Sequence, residues 1–228
     1  KKEVKIKKKE PVKKIVSKSS FLTPKKKPIS YKIVTNEKKS SKILSKKDFE
    51  RSREIFKFIR SGKWNSALKY SEKIKDKNFK DLVKWMYLKT SGNRATFADY
   101  QKFINRNPDY PRLGRLQFLA EHKIYLRNNS PSGIINWFEN YPPVSGMGKI
   151  KLAEAFLEQG KIEKVIPLVK EGWITASISK NELGYYRAKF KKFLNQDDHI
   201  KRTDHLAWEN KYWDLKRMLK YLPKDEKA

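Results

Sequence analysis

The chain has 228 residues, 55 lysines and arginines against 25 acids, a formal net charge of +30, and no cysteine. The missing cysteines exclude disulfides and thiolate metal sites, and no run reaches the roughly 18 apolar residues that a membrane-spanning helix needs, so no membrane span is expected. The charge suits a polyanion: a nucleic acid, an anionic leaflet or a carboxylate-rich polymer. Yet lysines outnumber arginines 44 to 11, which speaks for a coding bias and against nucleic acid, because arginine is the preferred reader of phosphate and guanine.

Residues 1–44 stand apart. They hold sixteen lysines against three acids, Glu3, Glu10 and Glu37, and their few apolar residues follow no steady period. Such a segment buries too little to offset a backbone entropy of roughly 1 to 2 kcal/mol per residue, so a disordered or extended lysine-rich arm is expected over 1–44. The chain opens on Lys1 without an initiating methionine, so an earlier piece such as a secretory signal is expected to have preceded it.

From Ser45 the apolar spacing is helical. Ser45 with Asp48 predicts a cap, Phe49, Ile55, Phe56 and Ile59 mark a face, and Gly62 predicts a left-handed stop. Trp64, Ala67, Leu68 and Ile74 follow on a second helix, too closely for anything but an antiparallel hairpin. Asn78 is expected to cap a helix through Leu82, Val83, Met86 and Leu88 that ends at Ser91-Gly92, and Thr96 to cap one through Phe97, Tyr100, Phe103 and Ile104.

Pro111, as a first helical residue, opens a segment through Leu113, Leu116, Leu119, Ile124 and Leu126. Ser130-Pro131 opens another, through Ile134, Ile135, Trp137 and Phe138, stopped by Pro142-Pro143. Ser145 leads into Ile150, Leu152, Ala155, Phe156 and Leu157, closed by Gly160, after which Ile162, Val165, Ile166 and Val169 continue to Gly172. A last pair runs through Leu183, Tyr186, Phe190 and Phe193, turns near Asn195, and resumes as Ile200, Leu206, Trp208, Trp213, Leu215 and Leu219.

The expected turns at Gly62, Gly92, Asn129, Gly160 and Asn195 are spaced by 30, 37, 31 and 35 residues. Two of them match in type: Phe58 to Trp64 with Ala67 parallels Phe156 to Ile162 with Val165. One hairpin leaves an apolar face open to water that only the next hairpin covers. The expected fold is therefore all-α, a tetratricopeptide-like superhelix of about five antiparallel hairpins over 45–222, with a charged tail at 223–228.

The order of several landmarks resembles a known family. Gly62-Lys63-Trp64 with Ala67, Asn107-Pro108-Asp109-Tyr110-Pro111 with Ala120-Glu121, and Trp137-Phe138 before Pro142-Pro143 are similar to the helical superhelix of soluble lytic murein transglycosylases, in their alphaproteobacterial form. The likeness continues through Ser145-Gly146, Leu152-Ala153-Ala155, Gly172-Trp173, Asp198-His199, Arg202 and Asp204-His205-Leu206-Ala207-Trp208, and covers about 45–222. It implies a periplasmic peptidoglycan enzyme that cuts glycan strands between muramic acid and glucosamine, leaving 1,6-anhydro ends. In that family a separate C-terminal lysozyme-like domain does the cutting. Its Glu-Ser pair and Gly-Leu-Met-Gln stretch do not occur in these residues, and glycosidic cleavage needs a positioned carboxylic acid. No catalytic residue is carried over, and the end at Ala228 fits a truncated or degenerate member.

Other sites read as ordinary structure. His199 and His205 are six apart and fall on different sides of a helix, so no metal site is expected; Asp198 is expected to pair with Arg202 at i and i+4. The six tryptophans, Trp64, Trp85, Trp137, Trp173, Trp208 and Trp213, are read mostly as core, with Tyr141 or Tyr185 as open sugar platforms. Asp197-Asp198 reads as a cap, and Glu154 and Glu158 as part of a solvated face. No cofactor motif is present, and substrate-binding positions stay unassigned. Three functions follow: the non-catalytic scaffold of a lytic transglycosylase holding glycan strands, a tetratricopeptide-like adaptor for a protein or peptide in its concave face, or a basic nucleic-acid binder.

Overall fold

The computed structural model describes residues 41–223. Of the expected arm only 41–44 fall within them, and of the expected tail only Pro223; the rest of both lies outside the described residues. Among the described residues the chain is all-helical, with no strand. In order come α1 (Lys46–Arg60), α2 (Trp64–Ser71), α3 (Lys77–Lys89), α4 (Phe97–Arg106), α5 (Leu113–Glu121) and α6 (Pro131–Asn140). Then follow α7 (Gly146–Glu158), α8 (Ile162–Thr175), α9 (Lys180–Lys189), α10 (Gln196–Trp208) and α11 (Tyr212–Met218), with a 3₁₀ turn at Leu219–Tyr221.

Short polar side chains start most of these helices, because each takes up a backbone N–H that the first turn leaves free. Ser45, Ser130 and Ser145 accept from Asp48, Gly133 and Gly148, and Thr96 with Asp99 and Asn195 with Asp198 close reciprocal capping boxes. Two starts differ from expectation. Asp76, not Asn78, caps α3, accepting from Phe79 N at 2.7 Å. Pro111 lies in a turn, and α5 begins two residues later behind Arg112 in the left-handed region at φ 60°. Ile124 and Leu126 consequently fall beyond the end of α5, where Ile124 is still buried.

Three tight turns share one backbone pattern. After α1, α7 and α10, the residues Gly62, Gly160 and Asn210 take φ of 68°, 71° and 53°. The following lysine N–H then reaches back five residues: Lys63 to Phe58 O at 2.9 Å, Lys161 to Phe156 O at 3.0 Å, and Lys211 to Leu206 O at 2.9 Å. The third turn, Asn210-Lys211-Tyr212, hides from a search for glycine because asparagine also tolerates this region. Asn195, expected as the turn of the last pair, instead caps α10.

Packing runs mainly between chain neighbours. α1 lies on α2, α2 on α3, α4 on α5, α6 on α7, α7 on α8, α8 on α10 and α10 on α11, while α5 touches both α3 and α7. Ile55, Ala67, Ile74 and Val83 form a small cluster at the start, and the main core extends from Tyr87 to Met218. Trp64 and Leu68 pack against both. α7 is buried on nearly every side, from Gly146 to Phe156, and so takes Lys151 and Glu154 into the interior with it. Gly160→Ala places an L side chain at φ 71°, and is expected to lower stability by about 1 kcal/mol; Gly160→Asn should lose less. Thermal unfolding followed by circular dichroism checks both.

Candidate functional site: a groove beside the central hairpin

The α7–α8 hairpin is fixed at its open end by two buried polar side chains from its neighbours. The carboxyl of Glu121, the last residue of α5, accepts from Val144 N at 2.7 Å and from the Ser145 hydroxyl. Ser145 in turn accepts from Gly148 N at 2.9 Å, so the acid closes the N-terminus of α7. A Cβ at position 148 would overlap that carboxyl, which is why a glycine stands there. Burial pushes the Glu121 carboxyl above its ordinary value, against the lowering effect of Ser145, Val144 and Gln117.

At the other helix end, Arg202 of α10 donates to the carbonyls of Trp173 and, at 3.0 Å, Ala176, capping the C-terminus of α8. Its guanidinium lies 5.0 Å from the centre of the Trp173 ring, and burial lowers it to about 10. The expected Asp198–Arg202 pair does not form. Asp198 instead belongs to the capping box of α10 and holds Lys170 of α8 at 2.7 Å. Helical spacing admits an i to i+4 pair, but the Asp198 carboxylate is taken up by its own helix N-terminus and by Lys170, and Arg202 meets the otherwise free carbonyls at the end of α8.

Three adjoining depressions of about 620, 260 and 340 Å³ lie beside this hairpin. The first is bounded by Phe118, His122, Thr175, His205 and Lys211. The second shares His122, Met147 and Asp214 with it, and meets the third at Tyr125 and Glu182. The third is walled by Tyr125, Arg127, Lys151, Glu154 and Tyr185. Aromatic rings, cations and acids are all present in the lining, a surface suited to a hydrated, elongated ligand.

In the third depression Tyr185 is 51% exposed, while its hydroxyl donates to buried Glu154. Lys189 binds Glu154 at 3.2 Å, Glu158 at 2.9 Å and the Tyr185 oxygen at 3.1 Å. Burial opposes the charge on Lys189, but these partners hold its ammonium well above the usual lysine range. Glu154 is thus a buried anchor and not part of a solvated face as expected, because α7 turns no side to water there.

Of the two tyrosines read as platforms, Tyr185 is open and Tyr141 packs against the core. Trp137 and Trp173 are buried, and Trp64 and Trp85 rest half-buried against the core. Trp208 and Trp213, expected inside, are 89% and 68% exposed. His205 borders the groove, whereas His199 packs against Trp173 at 5.5 Å, and burial and Arg187 hold it below the usual histidine value. Among the described residues no cluster of histidines and acids could hold a metal ion. Lys151 and Tyr125 escaped the sequence reading, and Glu121 entered it only as a landmark of the resemblance, with no role assigned; their one signal is a position inside strongly apolar helices or next to them.

Glu121→Ala strands the Val144 and Ser145 donors, so a loss of about 3 kcal/mol in chemical denaturation is expected. The folded chain holds the Glu121 proton more tightly than the unfolded chain, so this group's contribution to stability falls as pH rises through that window. Glu121→Gln, which cannot ionise, should therefore gain on the parent as pH rises above the ordinary carboxylate range. Comparison with protein-family models, with curated proteins and with solved structures finds no match.

Proposed function

We propose that the chain is the helical scaffold of a periplasmic peptidoglycan lytic transglycosylase, holding glycan strands along the groove while a lysozyme-like domain makes the cut. One observation supports this above the rest. Residues that carry the resemblance, far apart in sequence, converge on a single hairpin: Glu121, Ser145, Gly146, Gly172, Trp173 and Arg202 all pack at the open end of α7–α8. Two of the six, Glu121 and Arg202, reach that end from α5 and α10. The repeated turn at Gly62, Gly160 and Asn210, with α5 bridging α3 and α7, supports a tetratricopeptide-like row of hairpins.

The groove agrees with a glycan. Sugars bind through flat apolar faces and many hydroxyls, and the lining offers both the Tyr185 and Tyr125 rings and charges of both signs. A second reading, a protein-binding adaptor, draws on the exposed Trp208, Tyr212 and Trp213 rings of the last hairpin. Its partner would be a folded protein, not a wall polymer.

Co-sedimentation of the full chain with purified peptidoglycan sacculi separates the two. Binding is expected to persist at about 0.5 M salt, where exposed lysines are screened, and to be reversed by soluble glycan fragments, with no release of cleaved products. A chain that stays in the supernatant at that salt overturns the glycan reading.

A further inference from the structure

Lys151 is a cation that the fold buries without giving it a carboxylate. It is 3% exposed, its ammonium donates to the Tyr186 phenol at 2.5 Å, and it lies 4.5 Å from the centre of the Tyr125 ring. The nearby acids are committed elsewhere: Glu154 to Tyr185 and Lys189, Glu158 to Lys189, and Glu182 to the Ser179 hydroxyl at 2.6 Å. Neither Lys151 nor its neighbour Arg127 enters an ion pair among the described residues.

An ammonium carries three donors, and Tyr186 takes one. A buried charge left short of partners is costly, and burial duly holds Lys151 below the ordinary lysine value. Packing alone does not call for it, since a methionine would fill a similar space at lower cost. The lysine borders the open third depression, whose lining also includes exposed Arg127, 5.2 Å from the Tyr125 ring centre, and the exposed Tyr185 ring.

We infer that this depression is a subsite for a carboxylate-bearing ring, an acidic sugar of the bound strand, whose carboxylate pairs with Lys151 and Arg127 while its ring lies against Tyr185. The inference rests on the glycan reading and sharpens it. Lys189 fixes Glu154 and Tyr185 in place, so the aromatic wall is set before the ligand arrives. The depression, at about 340 Å³, is of a size for one or two sugar rings and not for a folded partner.

Isothermal titration of the full chain tests it with three probes: chitotetraose, which is neutral, a peptide-free tetrasaccharide carrying muramic acid, and the same oligomer with its stem peptides. The peptide-free acidic oligomer is expected to bind at least about tenfold tighter than chitotetraose. Lys151→Met should erase that preference while leaving chitotetraose affinity in place, and Tyr185→Ala should weaken both oligomers. Arg127→Gln, at an exposed position, repeats the test without touching the core. Equal affinity for the two peptide-free oligomers, unchanged in Lys151→Met and Arg127→Gln, overturns the subsite and leaves the glycan reading standing. Dependence on Lys151 seen only with the peptide-bearing oligomer moves the carboxylate onto the peptide and overturns it too. Failure of every probe, together with failure to bind sacculi, removes the glycan reading itself.

Discussion

The structure depends on how the two ends of one helical hairpin are satisfied. The N-terminus of α7 and the C-terminus of α8 lie side by side, and each presents backbone groups that the helix ladder leaves unpaired. Helix α5 supplies an acid, Glu121, beside the donor end, and α10 supplies a cation, Arg202, to the acceptor end. Each group also sits at the helix end whose partial charge favours it. The two groups come from residues 81 positions apart, so the ends of the hairpin tie α5 and α10 to it.

The same arrangement explains why the groove is where it is. Residues that wall it are attached to elements whose ends are locked: Phe118 lies in the Glu121 helix and His122 caps it, Thr175 closes the helix that Arg202 caps, and Lys151 and Glu154 belong to α7. A binding surface built on locked helix ends keeps its geometry without help from the ligand. Charge in the groove is local and of mixed sign, whereas the net charge of +30 is a property of the whole chain.

Much of this could be read from residues alone, and what could not has a physical reason. Helices and most of their caps follow from local chemistry, so Ser45, Thr96, Ser130 and Ser145 disclosed themselves, as did the turns at Gly62 and Gly160. Periodicity ranks faces but does not say which faces find cover, so Trp208 and Trp213 have the spacing of core residues yet stand open on the last hairpin. Charged residues carry the opposite ambiguity. Lys151, Glu154 and Glu121 are polar by type and buried by placement, because an interior helix takes along whatever it carries. Arg202 had a plausible local partner in Asp198, and only the position of α8 shows the better one.

Native-state hydrogen exchange on the full chain puts the interlock to the most direct test. The amides of Val144, Gly148 and Ala176 lie at helix ends, where exchange is ordinarily fast. If the caps hold the hairpin as described, these amides exchange as slowly as the middle of α7, through global unfolding alone. Exchange at the rate of the exposed end of α11 would show that the ends fray independently, and would contradict the account.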